Sequence, residues 1–190
     1  MELYAAFEQS VSSTGRIIKG VRPGDLAAPT PCSEWDVRAL LSHVIGTLWL
    51  STALFTGQEP RYPMAPGGLP ATDLAGDDPA ATYAEAAAAA LAAAGTGDTL
   101  TRMHATPLGE MPGPVLSGFT TLDVLVHGWD LARATGQPTG LDTAVAEHVL
   151  DFARQSLPEE NRGGRIAPAL PVPADAPVTD RLAGFLGRQP

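Results

Sequence analysis

The sequence predicts an all-α protein, a helical bundle with additions, and three observations lead there. Apolar residues recur at helical spacing in several separate segments. Those segments open on capping residues and close on glycine or proline. No segment shows the period-two alternation of a half-buried strand. With 190 residues, 44% of them hydrophobic and 17% charged, the chain can bury a sizeable core, and a second full domain would be a tight fit. One domain spanning 1–190 is therefore expected.

The first helix is expected over residues 2–19, where Leu3, Ala6, Phe7, Ser10, Val11, Thr14, Ile17 and Ile18 follow the i, i+3, i+4, i+7 pattern. "VRPGDLAAPTPCSEW" is a proline-broken loop. Ser33, followed three residues later by Asp36, resembles a capping box, so a second helix is placed from about Glu34 to Phe55, closed by Gly57 and Pro60. The Pro/Gly-rich stretch 61–79 reads as a long connection of the kind that often carries function. Asp77, Asp78 and Pro79 then open a third, Ala-rich helix that ends at Gly95, alanine being the strongest helix former. After the loop "TPLGEMPGP", a fourth helix covers 115–135, stopped by Gly136 and Pro138, and a fifth covers 141–156. "APALPVPADAP" is an extended strap leading into a short helix, Val178 to Leu186, that ends on Gly187. There is no internal repeat.

Charge and composition exclude several classes of function. Against 21 acidic residues stand 12 basic ones, a formal charge of -9, and no Lys/Arg cluster supplies a footprint for nucleic acid or an anionic membrane. "MELYAAFEQS" lacks the basic-then-apolar start of a signal peptide, and no run of about 18 apolar residues marks a membrane span. A cytoplasmic protein is expected. The single cysteine, Cys32, has no partner for an internal disulfide, which fits a reducing compartment.

One stretch stands out chemically. "TTLDVLVHGWDLARATG", residues 120–136, is apolar nearly all round, yet Asp123, His127 and Asp130 interrupt it. At about 100° per residue, His127 falls about 40° and Asp130 about 20° from Asp123, so the three polar groups form one stripe. If the rest of the helix is packed, the stripe faces the interior or a cleft, where an unpaired carboxylate costs several kcal/mol. A divalent metal would meet it, because Asp-x-x-x-His sets two ligands one turn apart. His43, on the largely apolar face of the second helix shared by Asp36, Leu40, Thr47 and Leu50, is the best third ligand. His43, Asp123 and His127 would leave a coordination position open, the mark of a reactive site. Asp130 could orient a ligand ring or replace Asp123. The alternative is a structural polar network in which arginines such as Arg133 neutralise Asp123 and Asp130. His104 and His148 read as surface or packing residues, Cys32 as an inert half-buried thiol, and Trp35, Trp49 and Trp129 as core and groove aromatics.

The segments "TPCSEWDVRALLSHVIG", "DVLVHGWDLARATGQP" and "PADAPVTDRLAGFLGRQP" resemble the actinobacterial metal-binding proteins related to mycothiol-dependent maleylpyruvate isomerase, within the DinB/YfiT-like superfamily. The resemblance implies a DinB-like four-helix bundle with short C-terminal helices added. It implies a divalent metal, most often zinc with nickel or iron as alternatives, on His43, Asp123 and His127. Where this chain has Asp123, the isomerase has glutamate and many DinB-like proteins have histidine. The implied chemistry is that of a mycothiol-dependent S-transferase or isomerase. Mycothiol or another low-molecular-weight thiol is activated on the metal and attacks an electrophilic substrate, with Asp130 behind the ligands. The connection 61–79 and the loop 104–114 are candidates to shape the pocket. A rival reading keeps the metal or ligand and drops turnover, as in a sensor or stress-associated module. A homodimer is compatible with the Ala-rich helical surface, and dimers occur in the superfamily.

Overall fold

The computed structural model describes residues 1–65, 68–159, 162 and 166–190. Among these residues six α-helices and one small hairpin follow in order: α1 Leu3–Lys19, α2 Val37–Thr56, α3 Pro79–Ala94, β1 Met103–Thr106, β2 Gly109–Pro112, α4 Gly113–Thr135, α5 Thr143–Ser156 and α6 Val178–Phe185, with a single 3-10 turn at Pro23–Asp25 after α1. The starts of three helices are set by aspartates that accept a backbone N–H three residues on: Asp36 from Ala39, Asp78 from Ala81 and Asp142 from Val145. α2 and α4 each stop at a glycine in the left-handed region, Gly57 (φ 71°) and Gly136 (φ 66°).

Ser33 does not cap α2. The amide of Trp35 donates to the Cys32 carbonyl at 2.8 Å, and the Thr30 hydroxyl donates to the Trp35 carbonyl at 2.8 Å. These bonds hold residues 30–35 in a turn and delay the helix to Val37. The sequence reading also missed the hairpin. β1 and β2 pair antiparallel with His104 opposite Met111, inside the stretch read as loop.

α1 packs against α3 and α4, and α2 packs against the same two helices, so the four form a square bundle with α1 and α2 on one diagonal. Phe7, Leu40, Leu41, Val44, Ile45, Leu48, Ala86, Ala90 and Val124 fill its centre. α2 is long and apolar enough to cross a membrane by length and mean hydropathy, but here those same residues supply the middle of the core. The other side of α4 is covered too. Leu122, Leu125 and Val126 pack against Val145, Val149 and Leu150 of α5 and Val178 and Leu182 of α6. Burial on both sides explains why α4 is apolar nearly all round, and it forces any polar residue on α4 to find a partner inside.

α1 and α4 approach closely. The Ser10 hydroxyl donates to the Thr121 carbonyl at 3.2 Å and the Thr14 hydroxyl to the Val124 carbonyl at 2.9 Å. A Cβ on Gly128 would lie 2.4 Å from Thr14 Oγ1. Gly128→Ala is therefore expected to destabilise the protein by about 1–3 kcal/mol in chemical denaturation, despite the better helix propensity of alanine.

The connection between α2 and α3 is tied back to α2. Asp73 accepts from the Ser42 hydroxyl at 2.8 Å, from Arg38 Nε at 2.7 Å and from the Ala75 amide at 2.9 Å. Burial pushes the Asp73 carboxyl up, but these donors outweigh it and hold the pKa below the usual carboxylate value. The stabilisation that follows is present above the unfolded pKa of about 3.9 and is lost as pH falls through the lower folded value. Asp73→Asn should cost about 1 kcal/mol at neutral pH and flatten the acid limb of a stability-against-pH profile.

Candidate metal centre

α2 and α4 are packed neighbours in the bundle, and His43 of α2 meets Asp123 and His127 of α4. Asp123 Oδ1 lies 3.2 Å from His43 Nε2 and 3.5 Å from His127 Nε2. Donor atoms of a tetrahedral ion bound at about 2.0–2.1 Å sit about 3.3 Å apart. The observed spacing suits such an ion.

The outer nitrogen of each imidazole is already committed. His43 Nδ1–H donates to the Gly68 carbonyl, which belongs to the connection anchored by Asp73. His127 Nδ1–H donates to Asp130 Oδ2 at 2.9 Å. Each ring is thereby turned so that Nε2 points inward. Trp35 stacks beside His43 with ring centroids 4.5 Å apart and covers the pair from the side of the 30–35 turn. Asp123 is the most open of the three, its side chain 28% exposed. Its Oδ2 is nonetheless buried and has no hydrogen-bond partner among the described residues.

Electrostatics follow from this packing. Burial alone would raise the Asp123 pKa, but the charges of His43 and His127 and their hydrogen bonds hold it well below the usual carboxylate range. Burial would lower the His127 pKa, but Asp123, helped by the bonds to Asp130 and Cys32, lifts it well above the usual imidazole value. A divalent ion at these atoms would compete with a proton for the His127 ring.

A second group, Cys32, His127 and Asp130, also has donor atoms close enough to share an ion. It already holds a cation. Arg188, from the C-terminal end, donates through Nε to Asp130 Oδ1 at 3.2 Å and through Nη2 to Asp130 Oδ2 at 3.0 Å. Nη2 also lies 3.2 Å from Cys32 Sγ. Asp130 is fully buried, and its pKa falls below the usual value because the His127 bond and the Arg188 charge outweigh burial. Among the described residues no lysine or arginine pairs with Asp123. Of the two groups, His43, Asp123 and His127 is the one with an unmet oxygen and room in its chemistry for an ion.

Asp130 lies on the Nδ1 side of His127, with Oδ2 2.9 Å from that nitrogen. Arg133, the neutralising arginine of the structural alternative, lies over the Trp129 ring at 5.4 Å, and Arg188 takes that place beside Asp130. Cys32 is half-buried, as expected, and its thiol donates to Asp130 Oδ2 at 3.3 Å. His104 is buried against the carbonyls of Leu54 and Thr99, and Trp129 is buried with Nε1–H donating to Asp180, both in packing roles. Arg188 had one visible signal in sequence, a guanidinium directly after a short apolar helix.

The bundle is helical, and on two of its neighbouring helices His43, Asp123 and His127 bring donor atoms close enough together that they could share an ion. Residues 7–132 match the family described as "Mycothiol maleylpyruvate isomerase N-terminal domain", and the chain belongs to that family. It is 38% identical over 195 residues to the uncharacterized protein MT0763 of Mycobacterium tuberculosis strain CDC 1551 / Oshkosh, covering 99% of this chain and 98% of that one. The uncharacterized protein Rv0738 of Mycobacterium tuberculosis strain ATCC 25618 / H37Rv matches with the same identity and coverage. No solved structure matches the chain. The family match takes in His43, Asp123, His127 and Asp130, and it stops short of α5, α6 and Arg188.

Proposed function

We propose that the protein is a metal-dependent thiol transferase or isomerase of the mycothiol-using kind, working as one domain over residues 1–190. His43, Asp123 and His127 hold a divalent metal in this reading, and Asp130 orients His127. The observation that carries it is the pair of imidazoles whose Nδ1 atoms are committed elsewhere while both Nε2 atoms converge on Asp123, whose Oδ2 is unmet. Two nitrogens and a carboxylate form a donor set that suits zinc, and it also serves nickel or iron.

When bound, the metal lowers the pKa of a coordinated thiol so that the thiolate is available at neutral pH. The chain supplies the remaining conditions. Asp130 accepts the Nδ1 proton and makes the far nitrogen of His127 a better donor to a cation. Trp35 shields His43 from water, and the partly exposed edge of Asp123 gives the side from which a small thiol and an electrophile approach. The family description supports mycothiol, or another low-molecular-weight thiol, as the partner.

The test is consumption of a halogenated bimane or of maleylpyruvate with mycothiol, and separately with another small thiol, by zinc-loaded protein. Turnover that needs the metal and disappears in His127→Ala supports the reading. A protein that holds its metal but gives no turnover above the metal-free control is a binding module instead.

A further inference from the structure

The C-terminal tail brings a guanidinium to the back of the candidate centre, and its placement is rigid. The amides of Gly187 and Arg188 return to the carbonyls of Gly184 and Ala183 at 3.0 and 2.9 Å, closing α6. The proline-rich strap is tied to the same turn, with the Leu170 amide donating to the Gly184 carbonyl at 2.8 Å. At Gly187, φ is 80° and a Cβ would come within 3.0 Å of the Pro168 carbonyl oxygen, so this turn between strap and helix requires glycine. Arg188 Nη1 then braces against the Leu186 carbonyl at 3.0 Å, and the side chain is only 13% exposed.

We propose that Arg188 is a positioning residue of the metal centre: its fork fixes the Asp130 carboxylate, which fixes the His127 ring, so the centre is incomplete without the last residues of the chain. The inference rests on the metal reading above. Nε and Nη2 reach different oxygens of Asp130 and thereby set the plane of the carboxylate, something a single ammonium cannot do. With that plane fixed, Oδ2 stands 2.9 Å from His127 Nδ1, and the opposite nitrogen is aimed at Asp123 and His43. Cys32 closes the remaining side of the guanidinium and of Oδ2. Asp130 is fully buried, so no water competes for the carboxylate. The charged contacts run from Arg188 to Asp130 to His127, and the Cys32 thiol touches all three, at 3.2, 3.3 and 3.9 Å.

The experiment measures zinc affinity, by competition with a chromogenic chelator, for Arg188→Met and Arg188→Lys, each alone and combined with Asp130→Asn. In parallel, nitrogen-edited NMR follows exchange of the His127 Nδ1 proton in metal-free protein. Outer partners of ligating histidines typically contribute about 10–100-fold in affinity, and Arg188→Met is expected to lose that much. Arg188→Lys should recover only part of it, since charge returns without the fork. In the Asp130→Asn background Arg188→Met should change affinity by less than about twofold, because the link is already cut. The His127 proton should exchange faster in Arg188→Met, an effect that a merely structural role for the tail would not produce in a folded protein.

Wild-type affinity in Arg188→Met, or losses that multiply when both changes are combined, would overturn the proposal. If Arg188→Met fails to fold, the comparison of the double variant with Asp130→Asn decides, because neither of these leaves Asp130 as an uncompensated buried anion. A wild-type protein that takes no zinc overturns the metal reading and this role with it. Zinc bound equally by wild type and Arg188→Met, and lost in His43→Ala, overturns the clamp alone.

Discussion

His127→Ala is expected to abolish metal binding while leaving the bundle folded. The substitution removes one of the two nitrogens that converge on Asp123, and only His43 and Asp123 remain on that side. Loss of an outer partner alone typically weakens a metal site by about 10–100-fold, so loss of the ligand should exceed about 100-fold in titration calorimetry. The metal-free protein should tolerate the change, because Asp123 keeps His43 and Asp130 keeps Arg188. His104→Ala is the matched control. That histidine is also buried, but it bridges the Leu54 and Thr99 carbonyls at the hairpin end, so its removal should lower stability with no effect on metal affinity.

The largest stability effect is expected at Asp130. Its carboxylate is fully buried and is the main counter-charge of Arg188, whose side chain is only 13% exposed. Removing one partner of a buried pair leaves the other uncompensated, and such losses run to about 3–5 kcal/mol. Asp130→Ala should lose that amount in urea denaturation of metal-free protein, where no ion contributes to the difference. Asp130→Asn keeps acceptors for Arg188 and should lose less. A loss under about 1 kcal/mol for Asp130→Ala would mean that Arg188 finds water instead of an empty cavity, contrary to the packing of the tail.

The bundle was legible because its four long helices carry their own signals. Asp78 with Pro79 opens α3 as the sequence indicates, and Gly57 and Gly136 end α2 and α4 where glycine was expected to end them. The stripe on α4 was legible for the same reason: periodicity places Asp123, His127 and Asp130 together without any knowledge of the neighbours. What escaped was whatever depends on closure in three dimensions. The N-cap of α2 shifted from Ser33 to Asp36 because Thr30 holds a turn through contacts that helix signals do not encode. The hairpin 103–112 has strands of four residues with no alternation, held by pairing and by the buried His104 rather than by strand propensity. Arg133, adjacent to the stripe in sequence, was the natural counter-charge on local grounds. The counter-charge is Arg188, 58 residues beyond Asp130, and only the return of the chain after α6 brings it there. The partners of the half-buried Cys32 escaped for the same reason, since Asp130 and Arg188 lie 98 and 156 residues further along the chain.

If His43, Asp123 and His127 form a metal site, metal content per chain shows it without any assumption about substrate. Inductively coupled plasma mass spectrometry on protein purified without an affinity tag or chelator, beside His43→Ala and His127→Ala, should find about one zinc, nickel or iron per wild-type chain and none in either variant. Wild-type protein that carries no metal, even after incubation with each of these ions, would leave the three residues as a structural polar network.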